Sequence, residues 1–122
     1  MTNRIQTLSI RGLLYQVYLL DNDTFDKLYK DSDAVTTLDR RLVFKPEKVT
    51  LPVVIHEITH AYIKGSLLSS VEEMTLGDFE ECVCEVMAEF GEELVLNSKR
   101  VFSALEKGIR DGEKRRKKRI KG

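Results

Sequence analysis

At 122 residues, with 42 % apolar and 33 % charged side chains, the chain is sized for one domain whose core needs no disulfide staples. No apolar run approaches the roughly 20 residues needed to cross a bilayer, and Met1-Thr2-Asn3-Arg4-Ile5-Gln6 lacks a signal peptide's basic-then-apolar design, so a cytoplasmic protein with no membrane contact is expected. The formal net charge of zero conceals an asymmetry: residues 114–121 carry seven of the 20 basic side chains and no acidic one, which leaves an acidic body and argues against whole-chain binding to nucleic acid.

In chain order, residues 4–20 read as a hairpin. Ile5, Leu8 and Ile10 precede Arg11-Gly12, and Leu13 to Leu20 is rich in strand formers. Asp21-Asn22-Asp23-Thr24 can cap a short helix over Phe25 to Lys30, and Asp31-Ser32-Asp33 is loop-like. From Ala34 to Lys45, two short apolar runs flank Asp39-Arg40, which predicts a second hairpin or a bent strand delivered to the next helix. Pro46 ends it. A helix starting near Glu47 runs as a regular helix over 51–64 if Pro52 occupies its first turn, and Gly65-Ser66 closes it.

Residues 66–77 read as a connection. Over Asp78 to Leu96, Phe79, Val83, Val86, Met87, Phe90 and Leu94 form one helical stripe. Asn97-Ser98 is expected to break this helix, and Val101, Phe102, Leu105 and Ile109 support a last one over 99–110. The reading is a single α+β domain over 1–113, with a short N-terminal antiparallel sheet packed on two helices, followed by a basic, disordered tail over 114–122.

The chemistry sits at His56-Glu57-Ile58-Thr59-His60, which holds the only two histidines of the chain. Residues four apart share a helix face, so the two imidazoles converge on a point beside the helix. Neutral imidazole nitrogen binds zinc at about 2.0 Å, and two such ligands make half of a tetrahedral site. Glu57 lies about 100° round the helix from His56, placed to reach a water beside the metal rather than the metal itself.

A catalytic zinc takes three protein ligands and one open position. With both histidines used, the third ligand must be a carboxylate or a cysteine, and the 78–96 helix offers Glu80, Glu81, Cys82, Cys84 and Glu85. Cys82 and Cys84 lie about 200° apart on a helix, so they cannot share an ion and read as small packing residues; their spacing also excludes a useful disulfide and fits a reducing compartment. Glu81 and Glu85 share a face with the small Cys84 and Ala88, which suits Glu81 as ligand and Glu85 as acceptor from a histidine N–H. That arrangement requires the helix to bury two faces, because Glu81 lies away from the Phe79, Val83 and Phe90 stripe. Glu80 and Glu85 stay open as alternative ligands.

Taken together, His56-Glu57-x-x-His60 and the later Glu81-x-x-x-Glu85 resemble gluzincin-type zinc metallopeptidases, whose corresponding element is E-x-x-x-D. The closest likeness is to small phage and prophage metallopeptidases related to ImmA and IrrE, with Thr36 to Phe44 resembling the strand that leads to the motif. The resemblance covers about residues 35–95. It implies zinc held by His56, His60 and Glu81, with Glu57 as the base that activates water for peptide bond hydrolysis. An extended protein segment, paired to the strand near Leu42 to Phe44, is the expected substrate. Tyr62, two residues past His60, is expected to pack rather than to stabilise an oxyanion. An alternative reading is a catalytically inactive zinc-binding regulatory module, with nucleic acid contacted through Lys114 to Lys121.

Overall fold

The computed structural model describes residues 2–67 and 75–121, with side chains over 4–64 and 75–118. Strands β1 (Thr2–Ile10) and β2 (Leu13–Leu20) pair antiparallel up to Ile10 opposite Leu13. Between them Arg11 and Gly12 both take positive φ, 53° and 80°, the two-residue hairpin turn for which glycine is favoured. Asp21 caps α1 (Asn22–Leu28) by accepting from the Thr24 backbone N–H at 3.2 Å, so the helix starts three residues before the expected Phe25 and ends at Leu28 rather than Lys30.

The second hairpin also forms. Strands β3 (Ala34–Thr36) and β4 (Arg41–Phe44) pair antiparallel across a turn in which Arg40 sits at φ 62°. β4 then lies parallel to β2, Gln16 opposite Arg41 and Leu19 opposite Phe44, so the sheet is mixed, in the order β1-β2-β4-β3. The fold is α+β, as expected, but the sheet is not purely antiparallel. The segment carrying α1 delivers β3 to the sheet edge, antiparallel to β2, and β4 then folds back into the gap between β3 and β2, which makes β4 parallel to β2. β4 is therefore an interior strand, buried on both faces at Leu42, Val43 and Phe44.

Each face has its own cover. Tyr15, Val17, Leu19, Leu42 and Phe44 point to the main core, which is completed by α2 (Leu51–Leu67) and α3 (Leu76–Lys121). On the opposite face, Leu20 and Val43 pack on Phe25 of α1. Lys45, also buried, is paired by Asp26 at 2.7 Å and Glu47 at 2.6 Å, which satisfies the one charge placed at that seam. A short 3₁₀ turn over Pro46–Lys48 precedes α2.

Helix α2 buries Val54, Ile58, Ala61 and Tyr62, the i, i+4, i+7, i+8 set of one face. Pro52 sits in its first turn, and the helix runs past the expected end at residue 64, through Gly65, to Leu67. Helix α3 differs more from expectation. It is continuous through Asn97-Ser98, because tertiary partners take up both polar side chains: the Ser98 hydroxyl donates to the Leu94 carbonyl at 2.7 Å, and the Asn97 amide donates to the Tyr62 hydroxyl at 2.9 Å. The basic run expected to be a tail continues this helix to Lys121. Gly108 lets α3 press on the sheet, since a Cβ there would stand 3.0 Å from Ile5 Cδ1 and 3.4 Å from Leu19 Cδ2. The connection predicted over 66–77 lies largely outside the described residues. Among those residues, no helix is long and apolar enough to cross a membrane.

Candidate metal centre

The face that α2 gives to the core decides what its other faces carry. With Ile58 and Tyr62 turned inward, His56 and His60 fall about 120–160° away, on the open side, and Glu57 falls between, on the flank that meets β3. His56 is accordingly exposed, at 67 % of its side-chain surface, whereas Glu57 keeps 8 %. One motif thus holds two solvent-facing imidazoles and one buried carboxylate.

The imidazoles converge. Nε2 of His56 and Nε2 of His60 are 3.1 Å apart, with the rings at 81° and their centroids 4.7 Å apart. Two nitrogens bound at about 2.05 Å to one tetrahedral ion would stand about 3.3 Å apart, so the pair has the spacing of a chelate before any ion is considered. Glu57 joins the group: the ligand atoms of His56, Glu57 and His60 all lie within 4.8 Å of one another. Two imidazoles and a carboxylate are a donor set that suits zinc among the divalent ions. The residues can therefore hold a metal ion.

The carboxylate is held at one end. The Thr36 hydroxyl, at the end of β3, donates to Glu57 Oε1 at 2.9 Å and also lies 3.1 Å from the Glu57 carbonyl. The other oxygen, Oε2, stands 3.8 Å from His56 Nε2. Lys64, one turn beyond His60, donates through Nζ to the Thr36 carbonyl at 3.3 Å and to the Thr37 carbonyl at 3.5 Å, which ties the end of β3 to α2. Sequence reasoning missed Thr36 and Lys64 as parts of the site. The only signal was a pair of threonines in an otherwise apolar strand.

Two open clefts, each of about 360 Å³, flank His56. One runs past Asp33, Ala34 and Glu57; the other is lined by Thr59, His60, Lys64 and Phe79. Phe79 is the α3 residue that reaches this centre. Glu81, about 200° from it round α3, is exposed, as are Glu80 and Glu85, and among the described residues none of the three enters the cluster with His56 and His60. The face of α3 that meets α2 is the apolar one of Cys82, Val86 and Phe90. Cys84, expected to pack, is exposed.

Tyr62 packs, as expected. Its ring is buried against Phe90, its hydroxyl accepts from Asn97, and burial pushes its pKa up to about 12, so it stays protonated on the far side of α2 from the imidazoles. The peptide-pairing edge expected near Leu42 to Phe44 requires correction. β4 has both neighbours filled, and among the described residues the edge strand beside the motif is β3, whose Thr36 carbonyl is taken by Lys64.

Compared with known proteins, the chain matches no protein-family model, no curated protein and no solved structure.

Proposed function

We propose that the protein is a zinc-dependent peptidase, similar in its motif to gluzincins. One observation carries the reading: two exposed imidazole nitrogens 3.1 Å apart stand beside a buried carboxylate that, among the described residues, is anchored through its Oε1 by Thr36. Zinc bound by His56 and His60 would acidify a water and polarise a substrate carbonyl.

Proton movement falls to Glu57. Thr36 occupies Oε1, so Oε2, the oxygen nearer His56, is the one that accepts a proton from the attacking water and returns it to the leaving amine. Burial removes competing water from this carboxylate, and the Thr36 hydroxyl fixes its direction. Substrate enters as an extended segment. β3 is an edge strand of the sheet next to the cleft that contains Glu57, and strand addition along the part of that edge not taken by Lys64 would lay a peptide past His56.

The test is Glu57→Gln, which keeps the shape and removes the base. We expect it to retain zinc at wild-type stoichiometry and to lose cleavage of an unstructured protein substrate by at least about a hundredfold, the scale of general-base catalysis. Equal cleavage by the variant would end the proposal.

A second reading is favoured by one specific observation: among the described residues α3 sends no carboxylate into the cluster. In that reading, Glu57 is itself a ligand beside His56 and His60, no carboxylate is left to act as base, and the centre binds metal without cleaving peptides. Zinc bound tightly by wild type, lost in Glu57→Gln, and accompanied by no cleavage would select it.

A further inference from the structure

Helix α3 is 46 residues long, about 69 Å, and its charge is divided at the middle. Residues 76–98 contain seven acidic residues and no basic one, whereas residues 99–121 contain eleven basic and three acidic. Such segregation costs repulsion within each half; the acidic half has no basic neighbour to relieve it, and in the basic half Glu106, Asp111 and Glu113 offset only part of the eleven charges.

The core does not use the whole circumference of this helix. Val86, Leu94, Val101 and Leu105 point inward, while Ala88 and Val95 are exposed, and Phe102 and Ile109 pack on the edge of the core with part of their surface open. The latter four lie within a sector about 60° wide, at one side of the core-facing stripe. Val95 keeps 42 % of its surface open.

We propose that this face of α3 binds the same face of a second copy of the chain, antiparallel, about a two-fold axis at Ser98-Lys99. Turning one helix end for end brings the acidic half of each copy against the basic half of the other, and both halves are satisfied at once. Along the seam, Val95 meets Phe102 of the second copy and Ala88 meets its Ile109. On one flank, about 200–280° round the helix from Phe79, Glu81 is brought to within about 3 Å of the level of Lys117, Glu85 of Arg110, and Glu92 of Lys107, each across the axis. All six are exposed. A closed two-fold pairing uses one patch twice, so every contact counts double. A parallel pairing would set like charges together along the full length, and charge complementarity selects the antiparallel one.

The experiment is sedimentation equilibrium of the full chain over a wide concentration range, with circular dichroism to show that each variant is folded. The wild type is expected to dimerise, with Kd rising at least tenfold between about 50 mM and about 500 mM salt, since exposed pairs are screened beyond a Debye length. Val95→Glu should raise Kd at least tenfold. Reversing Glu85 and Glu92 to lysine should do the same, and reversing Arg110 and Lys107 to glutamate in that same chain should restore dimerisation. Such rescue within one sequence occurs only if the helices run antiparallel. A monomer at every concentration and low salt overturns the proposal, as does failure of the fourfold reversal to rescue. A chain that stays monomeric while it binds single-stranded or duplex nucleic acid would show that the basic half serves phosphate instead, and would equally overturn it.

Discussion

Thr36→Val removes one hydroxyl and leaves the shape of the side chain almost unchanged, so its effect isolates the link between β3 and the motif. That hydroxyl donates to Glu57 Oε1 at 2.9 Å, and the carboxylate it serves belongs to a residue only 6 % exposed. A hydrogen bond to a charged group contributes about 1.5–3 kcal/mol, and because Thr36 is half-buried the low end applies, about 1.5 kcal/mol. With an unfolding entropy of about 2.1 cal/mol/K per residue, that corresponds to a fall in Tm of about 6 °C. Thermal unfolding followed by circular dichroism, without added metal, measures it. Thr36→Ser, which keeps the donor, should recover most of the loss. A Thr36→Val variant that melts with wild type, or a serine variant that melts with the valine one, would refute the claim that this hydroxyl holds Glu57.

Other substitutions test the frame around the centre. Ile58→Ala, at a fully buried position on α2 between the two histidines, should cost about 3 kcal/mol in denaturant unfolding. Gly108→Val should cost about 1–3 kcal/mol, because its first added carbon meets Ile5 at 3.0 Å; Gly112→Ala, with open space around it, should be neutral or stabilising by up to about 1 kcal/mol. The pKa of Tyr62 is raised from its ordinary 10.0 to about 12, so the native state holds this proton more tightly than the unfolded chain does. The resulting stability is present below about pH 10 and is lost as pH rises to about 12, by up to about 2 kcal/mol. Denaturant unfolding across that range should show the loss, and Tyr62→Phe should flatten it.

Local signals in the sequence were read correctly where one residue settles the backbone. Arg11-Gly12 marks the hairpin turn because both residues take positive φ, and the Asp21 to Thr24 stretch marks a helix start because the Asp21 carboxylate satisfies a helix N–H, though the helix begins three residues before Phe25. The same holds for the direction of His56 and His60, which follows from the 3.6-residue period alone. What was not legible depends on distant partners. Parallel pairing of β4 with β2 is decided by β3 taking the sheet edge and the hairpin folding back beside β2, and no residue in either strand announces it. Asn97 and Ser98 resemble a helix break until Tyr62 and the Leu94 carbonyl engage them. The face of α3 that turns to the imidazoles depends on how Val86 and Phe90 pack, and that packing leaves Glu81 in solvent.

Zinc titration of the purified chain against a competing chelator tests the central claim most directly, with His60→Ala as the comparison. The account predicts one zinc per wild-type chain and an affinity at least about a hundredfold weaker once one of the two converging imidazoles is gone. Equal affinity in wild type and His60→Ala, or no binding by either, would contradict it.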